Sequence, residues 1–278
     1  MKYIDRRNVN LKNATKITKN TFESNIYVKN KKAYKMYKKY RFYREMWRLS
    51  EKGPKVLLLE DATAKQLVKP DAVILNKGQI SGIRMNYIDN LGTLYNFSRI
   101  FNDLSKFLIV SKSASIGLKE IHDDPVEIVV NDLSFYNIVF DELLNTYYVD
   151  ADSFEIGPYV ATSVSEHFFS YCKARNVSTY PACATNDRFQ FMYEFLSTIF
   201  GTSIEYVTPY EYDSLAERVE TLKNMRLCFK KIKKSDHVPN LPYVSDLISD
   251  TDLTHKIEYD LPEINCKDVI KPVKQLTR

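Results

Sequence analysis

Three polar residues stand at spacings that suit metal-assisted phosphate chemistry. Asp132 and Asn137 flank a short loop in V-V-N-D-L-S-F-Y-N-I-V-F, and Asp150 follows in Y-Y-V-D-A-D-S-F-E-I-G. Magnesium prefers hard oxygen ligands and keeps part of its water shell. One carboxylate and one amide oxygen therefore suffice when phosphates complete the coordination. A second carboxylate nearby can orient an attacking hydroxyl and accept its proton. The plain alternative is that Asp132 and Asp150 only cap the turns that follow strands. Asp152 adds one more carboxylate, either a further metal ligand or a cap for its turn together with Ser153.

Short strands position these residues. Residues 127–130, 137–140 and 147–149 are apolar and β-prone, so the polar trio falls at strand mouths. Further upstream, 26–28 and 33–37 read as two strands joined by the polar turn 29–32, and 72–75 with 80–87 read as a hairpin. Residues 41–51 carry Phe42, Met46 and Leu49 at helical spacing, with Gly53-Pro54 as a stop. From residue 94 the pattern turns helical: 94–121, 189–200 (ended by Gly201) and 212–234. A strand-rich part followed by a helix-rich part predicts an α+β fold of two lobes.

The D-x-x-x-x-N spacing, with an aspartate thirteen residues after the asparagine, resembles the catalytic and metal-binding loops of protein kinases. The resemblance extends along most of the chain. It implies a bilobal protein-kinase-like fold with a strand-rich N-lobe over 1–88, a larger helical C-lobe over 89–236, and a C-terminal extension over 237–278. By this likeness Asp132 is the catalytic aspartate, and Asn137 and Asp150 are metal ligands, with Asp152 as a candidate third. Lys35 in A-Y-K-M-Y matches the strand lysine that contacts ATP phosphates. Glu45 matches its ion-pair partner, with Glu51 as the fallback. Met85, Asn86, Tyr87 and Ile88 resemble the hinge that holds adenine, and Leu118 to His122 resembles the end of the helix before the catalytic loop. Asp187 resembles the helix aspartate that braces this loop, although it also suits an N-cap.

The chain departs from the family in several places. Val130 and Asn131 stand where most protein kinases have His and Arg, so a switch by activation-loop phosphorylation is not expected. Ser134 replaces a lysine of the transition-state clamp, a change expected to slow transfer. Asp150-Ala151-Asp152 replaces D-F-G, and D-A-D-S-F-E-I resembles a compact group of bacterial kinase-like proteins. Tyr180-Pro181 stands near the place of the A-P-E motif. The function implied is that of an ATP- and Mg2+-dependent phosphotransferase, an atypical protein Ser/Thr kinase with a nucleotide and a protein as partners. A kinase-like scaffold without activity and a small-molecule kinase remain alternatives.

Composition narrows the choice further. The 278 residues include only 7 glycines, with no G-x-G-x-x-G and no G-x-x-x-x-G-K-[ST], which excludes a Rossmann fingerprint and a Walker A loop. The segment expected to cover phosphates, 20–25, has no glycine. Its side chains limit close backbone approach, and Glu23 repels phosphate. Lys and Arg number 40 against 35 Asp and Glu, and the excess is concentrated in residues 1–55. This basic segment suits either an acidic partner at the N-lobe or a solvated face. Cys172, Cys183, Cys228 and Cys266 lack C-x-x-C spacing and read as reduced thiols. The N-terminus has no apolar signal-peptide core, and no apolar run reaches membrane-spanning length. The expected location is the cytoplasm, with no membrane partner.

Overall fold

The computed structural model describes residues 1–17, 24–38 and 52–263. Its architecture is α+β. The N-terminal part is a mixed six-stranded sheet built from β1 (Lys2–Asp5), β2 (Thr15–Lys16), β3 (Ser24–Lys29), β4 (Lys32–Tyr37), β5 (Pro70–Asn76) and β6 (Gln79–Asn86). The spatial order is β1-β5-β6-β4-β3-β2. Only β1 runs parallel to its neighbour, and the remaining pairs are antiparallel. β3 carries Ile26, Tyr27 and Val28, residues that favour strands, and in β4 Ala33, Lys35 and Met36 are buried while their neighbours are half-buried. The buried face gathers Ala33, Val68, Val73, Ile83 and Met85 with Val56 from residues 52–58, which are helical (α1).

The sequence expected Gly53-Pro54 to end a helix, yet both lie within α1. Burial explains the difference, because Lys52, Lys55 and Val56 are fully enclosed, and such packing outweighs weak local propensity. The expected helix over 41–51 lies outside the described residues. So do Glu45, Glu51 and most of the segment expected to cover phosphates.

Helices dominate the rest. The main ones are α2 (Phe97–Ile100), α3 (Leu104–His122), α4 (Glu166–Ala174), α5 (Ala184–Phe200), α6 (Pro209–Ala216), α7 (Glu220–Lys234) and α8 (Asp250–Thr254). The stretch 94–121, expected to be mostly helical, is so in separate pieces. Asn102 adopts a left-handed φ of 44°, and Asp103 then caps α3 by accepting from the Lys106 amide at 3.1 Å. The stretch 212–234 is likewise two helices. The first-turn amides of α7, from Glu220 and Thr221, donate to buried Asp252 at 3.3 and 2.6 Å. Two small antiparallel sheets accompany the helices. β7 (Gly92–Thr93), β9 (Ile138–Phe140) and β10 (Thr146–Tyr148) form one, and β8 (Ile128–Val129) with β11 (Glu155–Ile156) the other.

The tail beyond residue 236 folds back on the helices. Leu241, Val244, Ile248 and Leu261 enter the large core, which also holds α3 and α5. Among the described residues, no helix is long and apolar enough to cross a membrane.

Candidate active site

β9 and β10 pair antiparallel, and the polar trio sits at their ends. Asn137 immediately precedes β9 and Asp150 closely follows β10. The two strands are tied at this end by the Val149 amide, which donates to the Asn137 carbonyl at 2.9 Å. The loop before β9 is anchored by Leu133 and Phe135, both fully buried, while Asp132 and Asn137 line a cleft of about 480 Å3. The Asn137 side-chain amide donates to the Asp132 carbonyl at 3.0 Å, which fixes the amide and leaves its oxygen as a potential ligand.

The opposite wall of the cleft comes from the sheet. Lys35 lies centrally on β4, between β3 and β6, and is almost fully buried. Its ammonium group donates to Asp150 Oδ1 and, at 2.7 Å, to Asp152 Oδ1. Burial alone would lower the Lys35 pKa, but the two carboxylates outweigh it and the pKa is raised. Gly82 on β6 makes room for this strand pairing, since a Cβ there would meet the Lys35 carbonyl at 2.5 Å.

Asp152 is fully enclosed. Its Oδ2 accepts from the Tyr37 hydroxyl at 2.8 Å and from Lys52 at 2.9 Å. Burial disfavours its charge, yet Lys35 and Lys52 outweigh that effect and hold the carboxyl far below the usual range. The hydrogen bonds thus give Asp152 a role beyond the two expected for it, as an anchor for lysines. Neither Asp150 nor Asp152 caps the turn at 151–153 through its side chain, and the Ser153 hydroxyl donates to Asp150 Oδ2 at 3.0 Å. Lys52 is a member of this cluster that the sequence did not single out, because it is one cation among many in a basic segment.

The loop leading into Asp132 is braced from below. Asp187, fully buried on α5, accepts from the Val130 and Asn131 amides at 2.7 and 2.8 Å. Its Oδ2 also meets His122 Nε2 at 2.9 Å, and His122 Nδ1 meets the Tyr243 hydroxyl at 2.9 Å. Asp187 is therefore a brace, and Cys183 holds the N-cap position of α5. Asn131 bonds the Ser163 carbonyl through its side chain at 3.0 Å, tying the segment before α4 to this loop without a phosphate. Both Asn131 and Asp150 hold left-handed backbone, with φ of 55° and 69°. Such conformations are costly outside glycine and persist where the surroundings enforce them.

Met85, Asn86, Tyr87 and Ile88 all line the same cleft, at the end of β6 and just beyond it. Ile26, Ala33, Val68 and Val139 make its walls largely apolar, suiting a flat ring. Among the described residues, no group of three or more His, Cys, Asp or Glu side chains is placed to hold a metal. A divalent cation here would take its protein ligands from Asp150 and the Asn137 amide, a donor set that fits magnesium if phosphates and water supply the rest. No family model matches the chain, and no curated protein sequence matches it. The cysteines described, Cys172, Cys183 and Cys228, are free, and burial pushes the Cys172 thiol up to about 11.

Proposed function

We propose that this protein is an ATP- and magnesium-dependent phosphotransferase with a bilobal, protein-kinase-like fold, acting on Ser or Thr hydroxyls of a protein. The observation that carries the reading is the contact of Lys35 with Asp150, 115 positions apart in the chain, at a cleft shared with Asp132 and Asn137. A chance surface lysine would not be buried on a central strand against two carboxylates.

In this reading the apolar walls and residues 85–88 receive the adenine. Lys35 faces the phosphates as a fixed cation. Asp150 and the Asn137 amide oxygen hold magnesium, which when bound neutralises phosphate charge. Asp132, held in place through Leu133, Phe135 and the Asp187 brace, orients the attacking hydroxyl and takes its proton. Most of the rate gain comes from positioning.

One observation favours a second reading, a nucleotide-binding protein with little transfer. Ser134 stands where the family places a lysine, and its hydroxyl accepts from the Tyr136 amide at 3.3 Å. That position therefore supplies no positive charge to the transition state.

The test uses labelled ATP with magnesium and a mixed protein substrate. Transfer to Ser or Thr is expected in the wild type. Asp132→Asn should reduce it about 100-fold or more while keeping the thermal shift given by ATP. A thermal shift without transfer supports the second reading. Label on a metabolite and none on protein identifies a small-molecule kinase. No shift with ATP at all overturns nucleotide binding.

A further inference from the structure

Ser153 takes no part in the chemistry above, yet its hydroxyl touches a candidate metal ligand. The residue is only 2% exposed. Its backbone is tied on both sides: the amide donates to the Asp150 carbonyl at 2.9 Å, and the carbonyl accepts from the Thr162 amide at 3.0 Å. The hydroxyl donates to Asp150 Oδ2 at 3.0 Å and receives Lys52 at 3.3 Å. A lysine ammonium can only donate, so the serine oxygen accepts there and its one proton goes to Asp150.

The two oxygens of Asp150 therefore have unlike partners. Oδ2 is held by a buried hydroxyl on an anchored backbone. Oδ1 meets the Lys35 ammonium, the tip of a flexible stem. The Asp150 side chain is 31% exposed, and with Lys35 and Ser153 it lines the cleft. A divalent cation arriving at Oδ1 repels the ammonium, so one replaces the other at that oxygen. Nothing in such an exchange disturbs the bond at Oδ2.

We propose that Ser153 is a positioning residue for a divalent cation, fixing Asp150 through Oδ2 so that Oδ1 is the oxygen that passes from Lys35 to the metal. The proposal rests on the phosphotransferase reading given above, in which Asp150 and the Asn137 amide oxygen are the protein ligands. A carboxylate free to rotate must be ordered when a cation binds, whereas the serine orders this one beforehand. Hydrogen-bond partners of a ligating carboxylate support metal affinity in this way, and losing one costs about 10- to 100-fold. Because the hydroxyl proton is committed to Asp150, the effect of Ser153 on a nucleotide passes through the metal.

Calorimetric titration of the full chain with ADP, without metal and with Mn2+ in place of magnesium, tests this. In the wild type Mn2+ is expected to tighten ADP. Ser153→Ala should leave metal-free ADP affinity within about twofold and make the tightening by Mn2+ about tenfold smaller, since linkage carries the lost metal affinity into the nucleotide. If alanine leaves too little folded protein, Ser153→Cys, close in size and a weak donor, should show the same selective loss. Asp150→Asn alone and combined with Ser153→Ala should show the same Mn2+ effect, because the serine acts only through Asp150. Equal loss with and without Mn2+ would make Ser153 merely structural and overturn the proposal. Unchanged tightening in Ser153→Ala, or a further loss in the double variant, would overturn it too. A wild type that binds ADP but ignores Mn2+ removes the metal role of Asp150 and this proposal with it, leaving nucleotide binding intact. A wild type that binds no ADP overturns the nucleotide reading itself.

Discussion

Asp187 accepts a 2.8 Å hydrogen bond from the backbone amide of Asn131, the residue immediately before Asp132. The same carboxylate takes the Val130 amide and His122, so one buried acid sets the entry to the loop. Asn131 holds a left-handed φ of 55°, which this clamp helps enforce. Asp187→Asn turns one acceptor oxygen into a donor, which faces either a peptide N–H or His122. We expect a loss of about 2–4 kcal/mol in stability, read from urea unfolding, because a charge-assisted buried network is left partly unmet. A loss below about 1 kcal/mol would show that the loop holds its shape without the brace.

Gly82 tests how tightly Lys35 is placed. A Cβ at this position would lie 2.5 Å from the Lys35 carbonyl and 3.2 Å from the Met36 Cα, both backbone atoms. Backbone cannot swing aside as a flexible side chain can, so β4 and β6 must separate. Gly82→Ala should cost about 1–3 kcal/mol and weaken nucleotide binding together with stability. Gly78→Ala, with no atom within 4 Å of its added Cβ but a φ of 79°, should cost stability without changing the cleft. The comparison of the two separates strand spacing from general destabilisation.

The polar trio was legible in the sequence because type and spacing agreed, and Lys35 because it interrupts an apolar strand. Lys52 was not legible. Its segment contains Gly53-Pro54, which reads as a stop, and its burial depends on a loop that follows about a hundred residues later. The breaks at 101–103 and 217–219 were missed for a related reason. Apolar periodicity continues across them, whereas the caps that end or start the helices come from Asp103 and, from the tail, Asp252. The tail itself lacks periodicity because it packs through separate anchors rather than one helical stripe.

His167 on α4 pairs with Glu194 on α5 and gives stability its own pH dependence. Burial would lower the His167 pKa, but Glu194, with a smaller contribution from Glu166, outweighs it and raises the pKa above the ordinary 6.5. The folded state thus holds the proton more tightly than the unfolded chain. The stabilisation is complete below about pH 6.5 and disappears as pH rises through the raised folded value. Unfolding free energies measured from about pH 5 to about pH 9 should therefore fall faster with pH in the wild type than in His167→Gln. Parallel curves for the two proteins would show that this pair does not titrate with folding.

Among the described residues, the Tyr243 hydroxyl links the tail to the loop before Asp132 by way of His122 and Asp187. Tyr243, just before the short turn at 244–246, meets His122 Nδ1 at 2.9 Å, while His122 Nε2 meets Asp187 at 2.9 Å. Tyr243 therefore helps fix the imidazole orientation, and the imidazole in turn occupies one side of the Asp187 carboxylate. Tyr243→Phe keeps the ring and its packing, with the Arg188 guanidinium 5.3 Å from the ring centre, and removes the hydroxyl together with its interactions with His122 and Arg188. We expect a cost of about 1 kcal/mol. His122→Gln should cost more, since it also disturbs Asp187. If the hydroxyl acts through the imidazole, the two changes combined should cost clearly less than their sum, a coupling of about 0.5 kcal/mol or more in a double-mutant cycle. Strict additivity would mean that Tyr243 stabilises the tail alone and has no hold on the loop before Asp132.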